Sequence, residues 1–173
     1  MFKCNIKVLG NYNKTTNNLM NDIIKKMPEE EWDKNFNGYF KSIHELCSHI
    51  YICDFNWLKR FKLLRRFDIL NNKLFEQNYE FSETIFKNIS EYLLKRKELD
   101  EIIIEFLNEL KEEDLNSILK FTDSKGVKIE RKMESLIYHV FIHQAHHRGM
   151  ISLYMEMLGI ENGYSGSLYK MEL

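Results

Sequence analysis

Tyr138-His139-Val140-Phe141-Ile142-His143-Gln144-Ala145-His146-His147-Arg148-Gly149 is the stretch on which the reading of this chain turns. Four of the six histidines lie here, in a segment whose apolar residues otherwise have helical spacing. Each helical residue advances about 100° around the axis, so with Leu136 at zero, Val140, Tyr154 and Leu158 fall within about 40° of it. His143 and His147 straddle the same line, about 20° to either side. These two rings therefore project from the middle of the core-facing stripe. His139 and His146 lie about 60° to 80° off it, on one flank. Glu134, Ala145, Arg148, Ser152 and Glu156 take the opposite face, where solvent or a partner is expected.

Two adjacent imidazoles in a core leave polar nitrogens to satisfy, at ~1–3 kcal/mol for each unmet group. Histidines at i and i+4 can share one transition-metal ion, which engages one nitrogen of each ring. Two ligands leave such an ion under-coordinated, so a third is sought on another helix. Besides His139 and His146, the chain has only His44 and His49. With Leu46 at zero, His49 lies about 60° round and His44 about 160° round. His49 is the candidate, and His44 is expected exposed at a first helical turn. Asp54 falls in the same apolar face, where it would orient an imidazole, act as an alternative ligand, or sit solvated near the bundle mouth.

Outward from this core, Leu19, Met20, Ile23 and Ile24 predict a first helix from about Asn11 to Met27, ended by Pro28. Glu29 to Tyr39 reads as a polar and aromatic connection. Ser42-Ile43-His44-Glu45 has the capping-box pattern, opening a second helix that runs to about Arg66 along Leu46, Ile50, Cys53, Trp57, Phe61 and Leu64. Its basic end, Lys59, Arg60, Lys62, Arg65 and Arg66, suits the negative helix terminus and is expected to be solvated. Asp68 to Glu80 reads as loop. Ser82 is placed as the cap of a third helix, Glu83 to about Lys111. Ser117 to Thr122 and Val127 to Lys132 flank Asp123-Ser124-Lys125-Gly126, which predicts a short β-hairpin. The fourth helix runs from Met133 to Leu158, stopped by Gly159. The expectation is one all-α domain over 1–173, a four-helix bundle with a hairpin before the last helix, whose core can hold a metal site.

Composition agrees with that class. One Pro and seven Gly are few for a domain rich in tight turns, and 44% hydrophobic content supports a sizeable core. With 25 basic and 26 acidic residues the charge is nearly balanced, which argues against nucleic acid and membrane as partners. No window is long and apolar enough for a membrane span. The segment Met1-Phe2-Lys3-Cys4-Asn5-Ile6-Lys7 lacks the apolar run of a secretory signal, so a cytoplasmic location is expected. Cys4, Cys47 and Cys53 form no CxxC and read as reduced thiols.

Ser42-Ile43-His44-Glu45-Leu46-Cys47-Ser48-His49-Ile50, followed by Trp57-Leu58, resembles the second helix of the DinB/YfiT-like family. His139-Val140-Phe141-Ile142-His143-Gln144-Ala145-His146-His147-Arg148-Gly149-Met150-Ile151 resembles that family's HxxxHRGQ helix. The resemblance covers nearly the whole chain. It implies His49, His143 and His147 as ligands of a divalent transition metal, zinc or nickel, in an up-down-down-up bundle that is commonly a dimer. It also implies a small-molecule substrate, since characterised relatives include metal-dependent transferases acting on low-molecular-weight thiols and proteins proposed to be hydrolases. Met150 stands where the family's motif has Gln.

Three His ligands with one open position are the layout of a catalytic zinc site rather than a structural one. The open position suits a water or a substrate thiol, either of which the cation would help deprotonate. No general base stands out. Asp54, His139 and His146 are the candidates for supporting roles beside the ligands. The alternative is a metal-binding structural or regulatory bundle without catalysis. A di-iron carboxylate site is excluded because no histidine has Glu three residues before it. HExxH protease and zinc deaminase signatures are also absent.

Overall fold

In the computed structural model, residues 2–123 and 125–164 are described, with side chains from Asn5 onward. Ser124 and the Cys4 side chain, both named above, lie outside that set. The chain is mostly helical, with one two-stranded antiparallel sheet immediately before the last helix. The long helices are α1 (Phe2–Ile24), α3 (Ile43–Phe61), α4 (Ile89–Glu109) and α6 (Met133–Met157), with short α2 (Glu29–Trp32) and α5 (Glu112–Asn116) between them. Helix α1 packs against α4 and α6, and α3 packs against the same two. Each long helix thus meets two others around one core that includes Met20, Ile50, Phe55, Leu99, Phe106 and Ile151. Among the described residues, no helix is long and apolar enough to cross a membrane.

Local chemistry explains most of the helix ends. Ser42 caps α3 by accepting from the Glu45 N–H at 3.1 Å. The Glu45 carboxylate reaches back to the Lys41 N–H at 2.7 Å, one residue beyond the usual capping-box partner. Helix α3 stops at Phe61 instead of near Arg66. The basic run at and beyond this end works in tertiary contacts: Arg65, past the helix, grips Asp114 with two 2.8 Å hydrogen bonds, and Lys59, in its last turn, donates to the Gln77 carbonyl at 2.6 Å.

Helix α4 begins later than expected, because Asn88, not Ser82, accepts from the N–H three residues on, that of Glu91 at 2.9 Å. Helix α1 begins earlier than expected, at Phe2. Gly159 (φ 75°) ends α6 in a Schellman motif: the Ile160 N–H bonds to the Met155 carbonyl and the Gly159 N–H to that of Glu156, both at 2.9 Å. In the hairpin, β1 (Ile118–Thr122) pairs with β2 (Lys128–Lys132), Phe121 lies opposite Ile129, and Gly126 takes φ 82° in the turn.

Candidate metal centre

Helices α3 and α6 lie side by side and turn His49, His143 and His147 towards one another. The Nε2 atom of His143 is 3.3 Å from that of His49 and 3.0 Å from that of His147. An imidazole nitrogen has either one lone pair or one hydrogen in the ring plane, so at most one of these contacts is a good hydrogen bond. A cation shared by the rings would satisfy the remainder. Ligand bonds of ~2.0–2.1 Å in a tetrahedral site place neighbouring nitrogens ~3.3 Å apart.

Electrostatics keeps the rings ready to ligate. Burial first, and the neighbouring imidazoles second, pull His143 down to about 4 and His147 down to about 3. His49 is also lowered by burial, partly opposed by a backbone hydrogen bond to Phe81. All three are therefore neutral at pH 7, the form a metal requires. The Nδ1 atom of His147 is buried without a hydrogen-bond partner among the described residues.

Cys53, one helical turn after His49, brings its Sγ within 3.5 Å of His49 Nε2. His49, Cys53 and His143 can place three ligand atoms within 4.8 Å of one another, a donor set that fits a divalent metal. In the sequence Cys53 counts as part of the apolar stripe and as a reduced thiol, not as a ligand. Its signal was the i, i+4 spacing from His49, which sets both side chains on one face. Burial and the nearby Asp54 carboxylate push the free thiol up to about 12, so it is protonated without a metal.

The remaining candidates fall elsewhere. His139 and His146 are exposed beside the cluster, His139 edge-on to Trp57 at 5.5 Å between ring centres. Asp54 is buried and binds Arg96 of α4 at 2.8 Å, so it is neither solvated nor turned to an imidazole. His44 is buried rather than exposed: α2 folds back so that Trp32 stacks on its ring, and Asp33 meets its Nδ1 at 2.7 Å.

Arg148, expected outside, is also buried, bonding to Asn13 and, at 3.0 Å, to Asn17 of α1. The amphipathic reading assigned α6 one covered face, whereas α1 and α3 cover two. Gln144, likewise buried, donates to the Ile50 carbonyl at 2.9 Å and fixes α6 against α3 next to His143 and His49.

Aromatic side chains wall the cluster. Phe40 lies against His49 and His147, with ring centres 4.6 and 5.3 Å away. Its backbone is held by Tyr154, whose hydroxyl donates to the Phe40 carbonyl at 2.6 Å. On the other side, a cavity of about 400 Å³ is lined by His49, Cys53, His143, Trp57, Arg60 and the hairpin residue Phe121, among others.

A helix pair that gathers histidines from an HxxxH turn and from a facing helix, in a mostly helical chain, defines a class of helical proteins with a transition-metal-type donor cluster. The chain belongs to the DinB family, whose sequence model matches residues 1–171. It is also similar to Protein DinB of Bacillus subtilis (strain 168), with 29% identity over 151 residues, 87% of this chain and 84% of that protein.

Proposed function

We propose that His49, His143 and His147 together hold one divalent transition-metal ion, zinc or nickel, and that the protein is a metal-dependent enzyme acting on a small molecule. The observation that supports this is that His143 Nε2 lies 3.3 Å from His49 Nε2 and 3.0 Å from His147 Nε2, spacings close to the ~3.3 Å edge of a tetrahedral site. When bound, the ion would supply Lewis acidity that lowers the pKa of a thiol or a water in its remaining position. That chemistry fits a thiol S-transferase or a hydrolase.

The chain's own residues divide the supporting work. Phe40 shields one side of the imidazoles from water, while the aromatic cavity on the other side admits substrate. His139, exposed on the wall of that cavity, is the candidate for a supporting role beside the ligands. The reading includes a single domain over 1–173, an up-down-down-up bundle, a homodimer and a cytoplasmic location. Elemental analysis of the purified protein tests the centre, followed by a screen of thiols with electrophiles and of esters, with metal added and chelated. Less than stoichiometric metal after zinc or nickel loading would reject it.

One observation favours a second reading, a non-catalytic bundle stapled by its ion. Cys53 Sγ lies close enough to the imidazoles to fill the fourth position, and a filled position is the mark of a structural site. Cys53→Ser separates the two readings. An enzyme with an open position keeps its metal and its turnover, whereas a stapled bundle loses metal affinity and thermal stability together.

A further inference from the structure

Arg60 stands at the cavity's end, three turns along α3 from His49, on the face that also carries Cys53 and Trp57. Its guanidinium carbon lies 4.9 Å from the Trp57 ring centre, 5.3 Å from Phe121 and 5.9 Å from Phe81. Three rings from three different segments thus hold one cation by its apolar faces. Among the described residues its side chain makes no hydrogen bond and no ion pair, unlike Arg65, Arg96 and Arg148. Asp123 is on the cavity wall and its charge favours the guanidinium, but its Oδ1 is taken by the hairpin turn, accepting from the Lys125 and Val127 N–H groups at 2.9 and 2.8 Å. The half-buried guanidinium therefore keeps its planar fork of N–H donors unfilled, facing the space that His49 and His143 line.

We propose that Arg60 is the anion-holding end of the substrate cavity, and that the molecule it holds is a small monocarboxylate with an apolar or aromatic body. A guanidinium fork matches a planar carboxylate through two parallel hydrogen bonds. The negative charge of Asp123 on the same wall selects against a dianion such as a phosphate monoester. Trp57, Phe81 and Phe121 supply the apolar walls for the body. Eleven residues separate His49 from Arg60, ~16 Å along the axis. The arginine side chain leans back towards the helix N-terminus, so the molecule bridges on the order of 10 Å between carboxylate and imidazoles. The inference rests on the enzyme reading for its meaning as a substrate site, but carboxylate binding can be measured without it.

The test uses metal-free full-length protein with 3-phenylpropanoate and its uncharged amide, 3-phenylpropanamide, as probes, and reads Kd by ligand-observed NMR. The wild type is expected to bind the acid at least about tenfold more tightly than the amide. Arg60→Gln is expected to erase that preference and leave amide binding unchanged, Arg60→Lys to keep part of it, and Lys62→Gln to match the wild type. The Arg60 Nε–H resonance of the wild-type protein should shift with the acid and not with the amide, a readout independent of any variant's folding. Equal affinity for the two probes, or a preference surviving in Arg60→Gln, overturns the proposal. Tighter binding of phenyl phosphate than of the acid overturns the monocarboxylate assignment. Zinc content measured on a separate portion of the protein after zinc loading judges the metal centre separately: absent metal with intact discrimination refutes the centre alone, and bound metal without discrimination refutes the Arg60 subsite alone.

Discussion

Arg148 of α6 and Asn17 of α1 meet in the interior at 3.0 Å, and that contact completes a buried polar chain through all four long helices. The Asn17 amide donates to Asp100 at 2.9 Å, and Arg96 spans Asp100 and Asp54 with two 2.8 Å bonds. Two carboxylates and two guanidiniums alternate along the chain, so its formal charge sums to zero without any member reaching solvent. Asp54 lies beside Cys53, and Arg148 follows His147. The network therefore fixes the backbone from which candidate ligands project, on both α3 and α6.

Removing the central cation should be severe. Arg96→Met leaves Asp54 and Asp100 facing each other in the core, and breaking a buried pair in this way destabilises by ~3–5 kcal/mol. Urea unfolding of the metal-free protein measures it. A loss below ~1 kcal/mol would show that the two carboxylates are already protonated partners and need no cation.

The three imidazoles separate from the other histidines by metal content. His143→Ala removes the ring whose Nε2 contacts both others, and bound zinc or nickel should fall to near zero. His146→Ala removes an exposed ring and should leave occupancy unchanged. Full occupancy in the first variant, or large loss in the second, would assign the ion to other residues.

What the sequence carried and what it lacked can be read residue by residue. Helical spacing placed His143 and His147 on the covered side of α6, and the offset of His49 by about 60° from the Leu46 line placed it on the shoulder of the apolar stripe of α3. Those are properties of a single helix and its period. Arg148 and His44 were misplaced because each is buried by something beyond its own helix: α1 crossing the second face of α6, and Trp32 returning over the first turn of α3. The α4 start failed for a local reason: Ser82 is a cap-type residue with Ile85 three positions on, whereas Asn88 has Glu91 there and accepts from its N–H to open the helix. Arg60 read as a solvated helix end because its partners, Phe81 and Phe121, are distant in sequence.

The histidine cluster also sets a pH dependence in the metal-free protein. His143 titrates at about 4 and His147 at about 3 when folded, against about 6.5 in the unfolded chain. Below pH ~6.5 the unfolded state therefore binds more protons, so this contribution is full above that pH and is lost as pH falls through the folded values. Asp54, pushed up to about 6 by burial, acts in the opposite sense: its contribution is present below its ordinary value and lost as pH rises through about 6. Comparing wild type with the His143→Gln, His147→Gln double variant cancels Asp54. Denaturation midpoints should fall more steeply from pH 7 to pH 5 in the wild type, and parallel slopes would show that the rings are not held neutral.

Gly38 offers a test of the wall over the imidazoles that touches no ligand. A Cβ built at Gly38 collides with the Tyr154 hydroxyl, which holds the Phe40 carbonyl, and Phe40 covers His49 and His147. The same ring of Tyr154 stacks on Phe36 at 4.2 Å, so it cannot retreat without giving up that contact. Gly38→Ala should therefore displace the Phe40 segment, destabilising the protein by ~1–3 kcal/mol. If Phe40 shields the centre, the variant should release its metal to a chelator several-fold faster while retaining full equilibrium stoichiometry. Tyr154→Phe removes the hydrogen bond without adding volume and should reproduce a smaller part of the acceleration. Unchanged release rates in both variants would mean that Phe40 packs on the imidazoles without controlling access to them.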